Sequence, residues 1–356
     1  MEYMKLISKL IFAVMLVALA GSSCKKEIPV DLNWSGPEDT TATFIDIQGT
    51  QWASIESDFF SDERAMAMMT VDDKLLVTYL DISSLSGNFS GTSFLEHGQS
   101  FGGFGIEKLQ LVDGSVYGLG LMDTYGGVVY NPGQNSPWTG VASVGTNMYS
   151  YEKYNDNFYA ACGIAPYIRS NESGPWADVG DGLDAKVFDL INFDGKLVAG
   201  GGFTSSGSTS LNRVAQWDGT SWTPLGQGLD GTVTDLLIHD GKLIALGYFE
   251  SSGSGNTNCS YVAQWDGTSW TDVGGGLVGG GSARKGISYG DQLIIGGEFT
   301  GSASVLSSNI IKFDGTSWQT LGGGVSERIE ELDVYNGRLY VANGPSFGSN
   351  FILRLD

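Results

Sequence analysis

The sequence predicts an all-β fold, a seven-bladed β-propeller of four-stranded antiparallel blades, and three observations support this prediction. Gly is frequent, at 53 of 356 residues, and Pro is scarce at 8, which is typical of many short strands joined by tight turns. The heptapeptide QWDGTSW occurs at 216–222 and again at 264–270, with the variant KFDGTSW at 312–318. No segment past residue 42 has an apolar period of 3.6 residues, which argues against helical repeats.

The number of units follows from the spacing of one aromatic residue per unit. A repeat length of 38–48 residues separates consecutive members of this set and lies in the range of propeller blades. The seven aromatic residues are Trp52, Phe94, Trp138, Trp176, Trp222, Trp270 and Trp318.

Each unit divides into four strands, as the fifth unit illustrates. TVTDLLIH and KLIALGYF flank the turn Asp240-Gly241, and SYVAQW and TSWTDVG flank the turn Asp266-Gly267. A type I′ turn needs positive φ at both central positions, which Gly adopts freely and Asp tolerates. We therefore expect two-residue hairpin turns at both Asp-Gly pairs, so that the Asp of QWDGTSW forms a turn and is not catalytic.

The repeated Trp residues have a packing role in this interpretation. A four-stranded blade cannot bury its faces alone, so a bulky side chain on an outer strand fills the gap to the neighbouring blade. The glycine pairs Gly200-Gly201 and Gly296-Gly297, at the ends of second strands, allow the close backbone approach that converging blades require.

The innermost strands number seven, and the two chain ends are expected to share one blade. Trp52 would supply the outer strand of that blade, which removes a large open edge. Either Phe44–Ile47 or Phe351–Leu355 is its third strand. The predicted innermost strands are Arg64–Val71, Ile106–Val112, Met148–Tyr154, Lys186–Phe193, Thr232–His239, Lys285–Tyr289 and Arg328–Tyr335.

The segments LVAGGGF, LIIGGEF and VAQWDGTSW together resemble the repeats of kelch and galactose-oxidase-type β-propellers. In that family a paired Gly closes the second strand, and an aromatic–turn–Trp unit links the third and fourth strands. The resemblance is strong over 176–318 and weaker elsewhere. It implies a radial propeller in which the first strand of each unit lines a central channel.

The N-terminus is predicted to direct export. Lys5 and Lys9 precede an apolar run of 11 residues, LIFAVMLVALA, which is too short to span a bilayer and suits a secretory signal. The following AGSSC resembles the lipobox of bacterial lipoproteins, although Gly21 stands where Leu is commonest. We expect a signal peptide at 1–23, lipidation at Cys24, a tether at 24–41 and the propeller at 42–356. No Asp follows Cys24, which favours the outer membrane, on its surface or periplasmic face.

Charge and cysteine content narrow the function classes. The formal net charge of −21 disfavours binding to nucleic acid or to anionic lipid surfaces. Cys162 and Cys259 lie in non-adjacent units, so we expect free thiols and no disulfide.

The sequence lacks the residues of the common catalytic centres. His97 and His239 are its only histidines, too few for a copper oxidase of the galactose oxidase type. The adjacent Asp and Gly of QWDGTSW do not match a sialidase Asp-box, and no GxSxG, HExxH, P-loop or paired CxxC motif occurs.

One constellation remains as a candidate site. Aligning the innermost strands on their hairpin turns places one residue of each unit at the channel mouth. Together with Asp184 and Asp230 in preceding loops, these residues are candidates for binding Ca²⁺ or hydroxyls, or for acid–base chemistry. Solvated residues at a wet channel mouth are the alternative. The seven mouth residues are Ala67, Lys108, Ser150, Asp189, Asp235, Gly286 and Glu331.

Three function classes follow. The first is a non-enzymatic envelope lipoprotein whose monomeric propeller binds a protein or a glycan, with no cofactor required and Ca²⁺ as an option. The second is a glycan-active lyase or hydrolase that uses the mouth carboxylates. A pair of buried carboxyls with raised pKa values would support this class. The third is a structural subunit of an envelope complex. Tyr248 and Phe347, near the same face, are candidates for stacking on sugar rings.

Overall fold

The structure is a computed structural model in which the chain divides into two units, Met1–Ala42 and Thr43–Asp356. All described residues belong to the second unit. Between residues 52 and 143 the structure describes the strands, and from there on it describes 146–171, 176–253, 258–335, 337–343 and 352–355. The predicted signal, Cys24, the tether, Phe44–Ile47, His97 and Phe347 lie outside the described residues.

Nine strands precede residue 144. They are β1 (Trp52–Ser54), β2 (Glu63–Val71), β3 (Lys74–Asp81), β4 (Asn88–Ser90), β5 (Ser100–Gly102), β6 (Ile106–Val112), β7 (Ser115–Gly120), β8 (Gly127–Asn131) and β9 (Thr139–Ser143).

Ten strands cover the middle of the chain. They are β10 (Met148–Tyr154), β11 (Asn157–Cys162), β12 (Ile168–Ser170), β13 (Ala177–Asp178), β14 (Val187–Phe193), β15 (Lys196–Gly201), β16 (Ser205–Ser206), β17 (Thr209–Ser210), β18 (Val214–Trp217) and β19 (Trp222–Pro224).

The remaining strands run to the C-terminus. They are β20 (Thr232–His239), β21 (Lys242–Tyr248), β22 (Val262–Trp265), β23 (Trp270–Asp272), β24 (Leu277–Val278), β25 (Ser282–Tyr289), β26 (Gln292–Glu298), β27 (Gly301–Ser302), β28 (Ile310–Phe313), β29 (Trp318–Thr320), β30 (Ile329–Tyr335), β31 (Arg338–Asn343) and β32 (Ile352–Leu355).

Among the described residues, these strands form six four-stranded antiparallel sheets, which confirms the predicted all-β class. Sheet 1 is the pair β2–β3, and β4–β5, β16–β17 and β24–β27 are small separate hairpins or pairs. We number the four-stranded sheets in the order of their first strands along the chain: sheet 2 (β6–β9), sheet 3 (β10–β13), sheet 4 (β14, β15, β18, β19), sheet 5 (β20–β23), sheet 6 (β25, β26, β28, β29) and sheet 7 (β30, β31, β32, β1).

The first strands of consecutive sheets contact one another from β2 through β30, and β30 also contacts β2. In sheet 7, β32 lies between β31 and β1, and Trp52 faces Leu355 in the register. The C-terminal candidate, Phe351–Leu355, therefore contains the third strand of the shared sheet. This arrangement is consistent with a β-propeller-like fold.

A register shift recurs at one point in all seven first strands. Such a β-bulge places an extra residue in one strand and redirects the side chains that follow it. Here it determines which side chains enter the space between the first strands. The shifts lie between Ala65 and Ala67, Ile106 and Lys108, Met148 and Ser150, Val187 and Asp189, Val233 and Asp235, Ala283 and Lys285, and Ile329 and Glu331.

The fully described turns between first and second strands are of two kinds. Asp240 and Gly241 both have positive φ, at 48° and 68°, which confirms the expected type I′ turn. In sheet 6 the order of residues is reversed, and only Gly290, at 62°, has positive φ. Positive φ at the first central position alone is the mark of a type II′ turn, which favours Gly there.

The prediction of two-residue turns inside QWDGTSW is wrong. Trp217 pairs with Trp222, so that the connection is the four-residue loop 218–221. The carboxylate of Asp218 accepts hydrogen bonds from the backbone N–H groups of Thr220 and Ser221, both at 2.8 Å. Asp266 and Asp314 make the same bonds in their loops. The Asp does form the turn, but through its side chain and without positive φ.

The Trp side chains pack between neighbouring sheets, as predicted. Trp270, on the outer strand of sheet 5, is 2% exposed and shares a core cluster with Val198 and Val214 of sheet 4. Its indole Nε1 donates to the carbonyl of Leu225 at 3.0 Å, in the loop that follows sheet 4. The predicted close approach at paired glycines is also present, because a Cβ on Gly200 would lie 2.6 Å from Val233 of the next sheet.

Cys162 and Cys259 are buried and free, which confirms the prediction that they form no disulfide. Within the described part of the chain, no helix is long and apolar enough to cross a membrane.

Candidate functional site

A cavity of about 350 Å³ lies between the first strands of six sheets. Its volume is within the usual range of small-molecule sites, about 300–1,000 Å³. Leu, Ile and Gly residues form part of the wall. The polar lining residues are Lys108, Gln110, Glu152, Asp189, Asp235, Lys285, Glu331 and Asp333.

Asp189, on β14, is the most highly connected acid of this cavity. Its Oδ1 accepts from Lys108 Nζ at 2.7 Å and from Ser150 Oγ at 2.9 Å. Its Oδ2 accepts from the backbone N–H of Leu236 at 3.0 Å. Strands of three other sheets therefore supply its donors, and both carboxylate oxygens are occupied.

Asp235 holds the equivalent position on β20. Its Oδ1 accepts from Lys285 Nζ at 3.1 Å, and its Oδ2 accepts from the backbone N–H of Gly286 at 3.0 Å. The two aspartates thus follow one rule, in which each binds one lysine and one backbone N–H of the next sheet.

Two uncharged side chains also accept a hydrogen bond from a backbone N–H of the next sheet. Gln110 Oε1 accepts from the backbone N–H of Tyr151 at 2.9 Å, and Ser150 Oγ accepts from that of Leu190 at 3.0 Å. A first strand has a partner on one side only, so that half of its N–H groups lack a strand partner. The side chain of the preceding sheet satisfies one of them. These contacts join sheets 2 to 6 in sequence and have a structural role.

The ionisation of the paired groups follows from these contacts. Burial opposes a charge on Asp189, but Lys108 and Lys285 outweigh it and hold its pKa below the ordinary value. Burial raises the pKa of Asp235, against the effect of Lys285. Burial alone would lower the pKa of Lys285, but Asp235 and Glu331 raise it, and this lysine stays charged. Asp189 is therefore held in its charged form beside Lys108, and Lys285 stays charged beside Asp235.

Two further carboxyls behave differently. Burial raises the pKa of Glu331 to about 7, against the attraction of Lys285 and Lys108. Burial also raises the pKa of Glu152 to about 7, although this carboxylate accepts hydrogen bonds from the Lys153 N–H and from Asn192 Nδ2. Both acids therefore change charge near neutral pH, which is a property of functional carboxyls.

Glu331 should make the stability of the protein depend on pH. Its folded-state pKa of about 7 lies above the ordinary value of 4.5 for a Glu carboxyl, so the folded state binds more protons than the unfolded state between these values. The free energy of unfolding should therefore fall as pH rises through this window and level off above it. Urea unfolding of Glu331→Gln at several pH values should give a shallower fall than the wild type. An unchanged slope would contradict the assignment.

The structure brings together most of the predicted mouth residues. Lys108, Asp189, Asp235 and Glu331 line the cavity. Ser150 is not a lining residue but donates a hydrogen bond to Asp189. For Ala67 only the backbone of β2 is described. Gly286 also lines the cavity, but the residue of sheet 6 that is equivalent to the other mouth residues is Lys285, which follows the bulge in β25. The reversed turn explains the error, since counting back from Asp291 instead of Gly290 shifts the position by one residue.

Two other predictions about the mouth need correction. Asp184 and Asp230 do not line the cavity, because each caps a loop of its own sheet. Asp184 accepts from the N–H groups of Thr204 and Ser205 at 2.7 and 3.0 Å, and Asp230 repeats this with Glu250 and Ser251.

Four polar residues that line the cavity were not predicted from the sequence: Lys285, Gln110, Glu152 and Asp333. Glu152 follows Ser150 by two residues, and a strand period of two places both on one face. Extending each mouth position by two residues would have found Gln110 and Glu152.

The aromatic candidate Tyr248 is 44% exposed. The guanidinium of Arg284 lies 5.5 Å from its ring centroid, and Arg284 Nη2 donates to its hydroxyl. Arg284 also forms an ion pair with Glu330 at 2.9 Å. One face of the Tyr248 ring is therefore occupied by a cation.

Within the described residues, no group of three or more His, Cys, Asp or Glu side chains is arranged to hold a metal ion. Ca²⁺ binding stays a prediction that the experiments below address.

Comparison with known proteins yields similarity in fold only. No family model matches the chain, and no curated protein matches it at a significant level. Among solved structures, the extracellular domain assigned to a hybrid two-component system of B. thetaiotaomicron, BT4673, superposes with a TM-score of 0.54 at 10% identity. The match covers 86% of this chain and 39% of that one, so that this chain spans about two fifths of its length. The computationally designed Ika8 protein matches over 86% of this chain and 99% of its own, at 14% identity and a TM-score of 0.44.

Proposed function

We propose that the protein is a non-enzymatic lipoprotein of the cell envelope with a seven-bladed propeller. Its central cavity binds a protein or a glycan. The observation that carries this proposal is the convergence of polar side chains from six sheets on one cavity of ligand size. Asp189 and Asp235 are held by backbone N–H groups and lysines, so that the wall around a ligand would be rigid. Such preorganisation reduces the entropic cost of binding.

Strand pairing supports the seven-bladed, closed arrangement within this proposal. Seven first strands carry the same bulge, and β30 contacts β2 as well as β25. The pairing of β1 with β32 would join the two ends of the domain in one blade. A closed ring leaves no long free sheet edge and would keep the cavity walls in place.

The lipid anchor predicts a labelling result. When the full chain is expressed in a Gram-negative host with radiolabelled palmitate, the protein should carry label and sediment with membranes. Cys24→Ala should abolish the label, because acylation needs the thiol. Cys162→Ala, which removes a buried thiol of the folded domain, serves as the matched control and should stay labelled. A labelled Cys24→Ala variant would refute the anchor.

Binding is tested by thermal shift on the full chain purified in detergent. Ligands that bind only the folded state raise the melting temperature by mass action. The screen contains Ca²⁺, neutral, cationic and anionic sugars, and short peptides. A saturable shift that Glu331→Gln changes would support the cavity as the binding site. If no ligand in the screen shifts the transition, the cavity is not a small-ligand site, and a structural role in an envelope complex becomes the better proposal.

A glycan-active enzyme is the second candidate, favoured by Glu152 and Glu331. Both line the cavity, and both have pKa values of about 7, which suits a general acid. The test is product formation from a panel of polysaccharides by the full chain. Activity that is lost in both Glu331→Gln and Glu152→Gln, with melting temperatures preserved, would replace the non-enzymatic proposal.

A further inference from the structure

The charges of the cavity wall do not cancel. Five carboxyl groups and two lysines line it. Lys108 and Lys285 each contact one aspartate, at 2.7 and 3.1 Å. The excess therefore falls on the three remaining acids, Glu152, Glu331 and Asp333.

Glu331 is the member of this excess without a hydrogen-bond donor. Glu152 accepts from Asn192 and from the Lys153 N–H, and Asp333 accepts from the Val334 N–H at 2.8 Å. Within the described part of the chain, no hydrogen bond to the Glu331 carboxyl is present. Asp189 and Asp235, which hold the equivalent positions on β14 and β20, bind an N–H of the next sheet, and among the described residues no such bond to Glu331 is present. The Glu331 carboxyl is half-buried and lines the cavity, so that a ligand in the cavity can reach it and supply the donor that it lacks among the described residues.

The opposite part of the wall is apolar. Ile191, Leu237 and Ile287 occupy the position two residues beyond Asp189, Asp235 and Lys285, on three consecutive first strands. The equivalent residues on β6, β10 and β30 are Gln110, Glu152 and Asp333. The cavity therefore has an acidic, hydrogen-bonding side and an aliphatic side.

We propose that the cavity binds its ligand through a primary ammonium group held by Glu331, with the carbon body of the ligand against Ile191, Leu237 and Ile287. An ammonium supplies both the missing donor and the countercharge in one group. The two lysines do not compete for Glu331 by hydrogen bond, because Asp189 and Asp235 hold them. An anionic ligand would meet the excess carboxylates. This inference rests on the proposed binding function and names its ligand class.

The surroundings of Glu331 fix how pH acts on binding. The charged groups that face it are Lys285 on β25, Lys108 on β6, Asp235 on β20 and Glu330 on its own strand. A cation is held by the ionised carboxylate, so that it must displace a proton below neutral pH. The affinity for an ammonium ligand should therefore increase from pH 6 to pH 7.5.

The experiment measures binding of four probes to the full chain by titration calorimetry at pH 7. Glucosamine, N-acetylglucosamine and glucuronate share a sugar ring and differ in charge, and 1,5-diaminopentane carries ammonium groups on an aliphatic chain. We expect glucosamine or diaminopentane to bind about tenfold or more tightly than the neutral and anionic sugars. Glucosamine alone would identify an amino sugar as the source of the ammonium, and diaminopentane alone would identify an alkylamine.

The variants locate the contact. Glu331→Gln should weaken ammonium binding about tenfold or more and should fold, because it removes a buried acid. Glu250→Gln, the same change on an exposed residue of the loop that follows β21, should leave the affinity unchanged. Equal affinities for the four probes, a preference for glucuronate, or ammonium binding that is insensitive to Glu331→Gln would overturn the inference. Tight binding of N-acetylglucosamine would do so while preserving the binding function, whereas silence of all probes and of the thermal screen would refute both.

Discussion

Asp189→Asn should destabilise the protein by about 3–5 kcal/mol, the usual cost of breaking a buried ion pair by removing one partner. Asp189 receives donors on both oxygens, from Lys108, Ser150 and the Leu236 N–H. An amide offers one oxygen and one NH₂ group, so that a donor must face a donor on one side. Lys108 would also lose its countercharge. Urea unfolding at pH 7 measures the effect as a lower midpoint.

The control is Asp218→Asn. Asp218 lies in an exposed loop, and its Oδ1 accepts from the N–H groups of Thr220 and Ser221. Asn retains this oxygen and caps such groups about as well as Asp, so that we expect a much smaller loss of stability than for Asp189→Asn. The double variant Lys108→Met with Asp189→Asn should recover part of the loss, because it removes the unpaired cation. If Asp189→Asn cost no more than Asp218→Asn, the assignment of a structural role to Asp189 would be wrong.

This experiment also separates the roles of two kinds of acid in one cavity. Asp189 is expected to act on stability, and Glu331 on ligand affinity, although both occupy the position that follows the bulge. The difference lies in their partners, since Asp189 has three donors and Glu331 has none within the described residues. A loss of ligand binding in a fully stable Asp189→Asn variant would reverse this assignment.

Much of this arrangement could be predicted from the repeats. The first strands β6, β10 and β20 begin and end at the predicted residues, because apolar alternation and an Asp-Gly or equivalent turn bound them clearly. Lys108, Ser150, Asp189, Asp235 and Glu331 were placed together because all seven units share one strand geometry. In a repeated sequence, a strand that is recognised in one unit indicates the equivalent strand in every other unit.

The error at the cavity arose where the repeat departs from its own pattern. Gly290-Asp291 reverses the common Asp-Gly order, which moved the predicted mouth position in sheet 6 from Lys285 to Gly286. The Gly-Asp order is typical of a type II′ turn, which also has two central residues, so that counting back from the first turn residue, Gly290, would have given Lys285. The cross-strand contacts of Gln110 and Ser150 with the next sheet depend on the bulge, which a sequence does not mark. The charge excess at Glu331 depends in turn on which acids those contacts occupy.

Trp270→Ala should cost about 3–5 kcal/mol, the range for truncating a buried Trp. The side chain is 2% exposed and fills the space between sheets 4 and 5, and no small movement of one sheet could close the cavity without separating other contacts. Leu306→Ala, at a residue that is 84% exposed, should change stability by less than about 0.5 kcal/mol. If the folded Trp270→Ala variant keeps its ligand affinity, the QWDGTSW motif is structural, and loss of affinity at full stability would refute that role.

Conservative variants of two Trp residues divide this cost into packing and hydrogen bonding. Trp270 Nε1 donates to the Leu225 carbonyl at 3.0 Å, whereas Trp222 Nε1, which is equally buried, has no partner in the described structure. Trp270→Phe should therefore cost about 1 kcal/mol more than Trp222→Phe, because it removes a buried hydrogen bond, although the Leu225 carbonyl keeps its longer bond from the Gly228 N–H at 3.3 Å. Equal costs would mean that the two motif copies stabilise their blades by packing alone. The repeated motif would then act through the volume of its aromatic side chain, and any large side chain that fits the gap between sheets would serve in place of the indole.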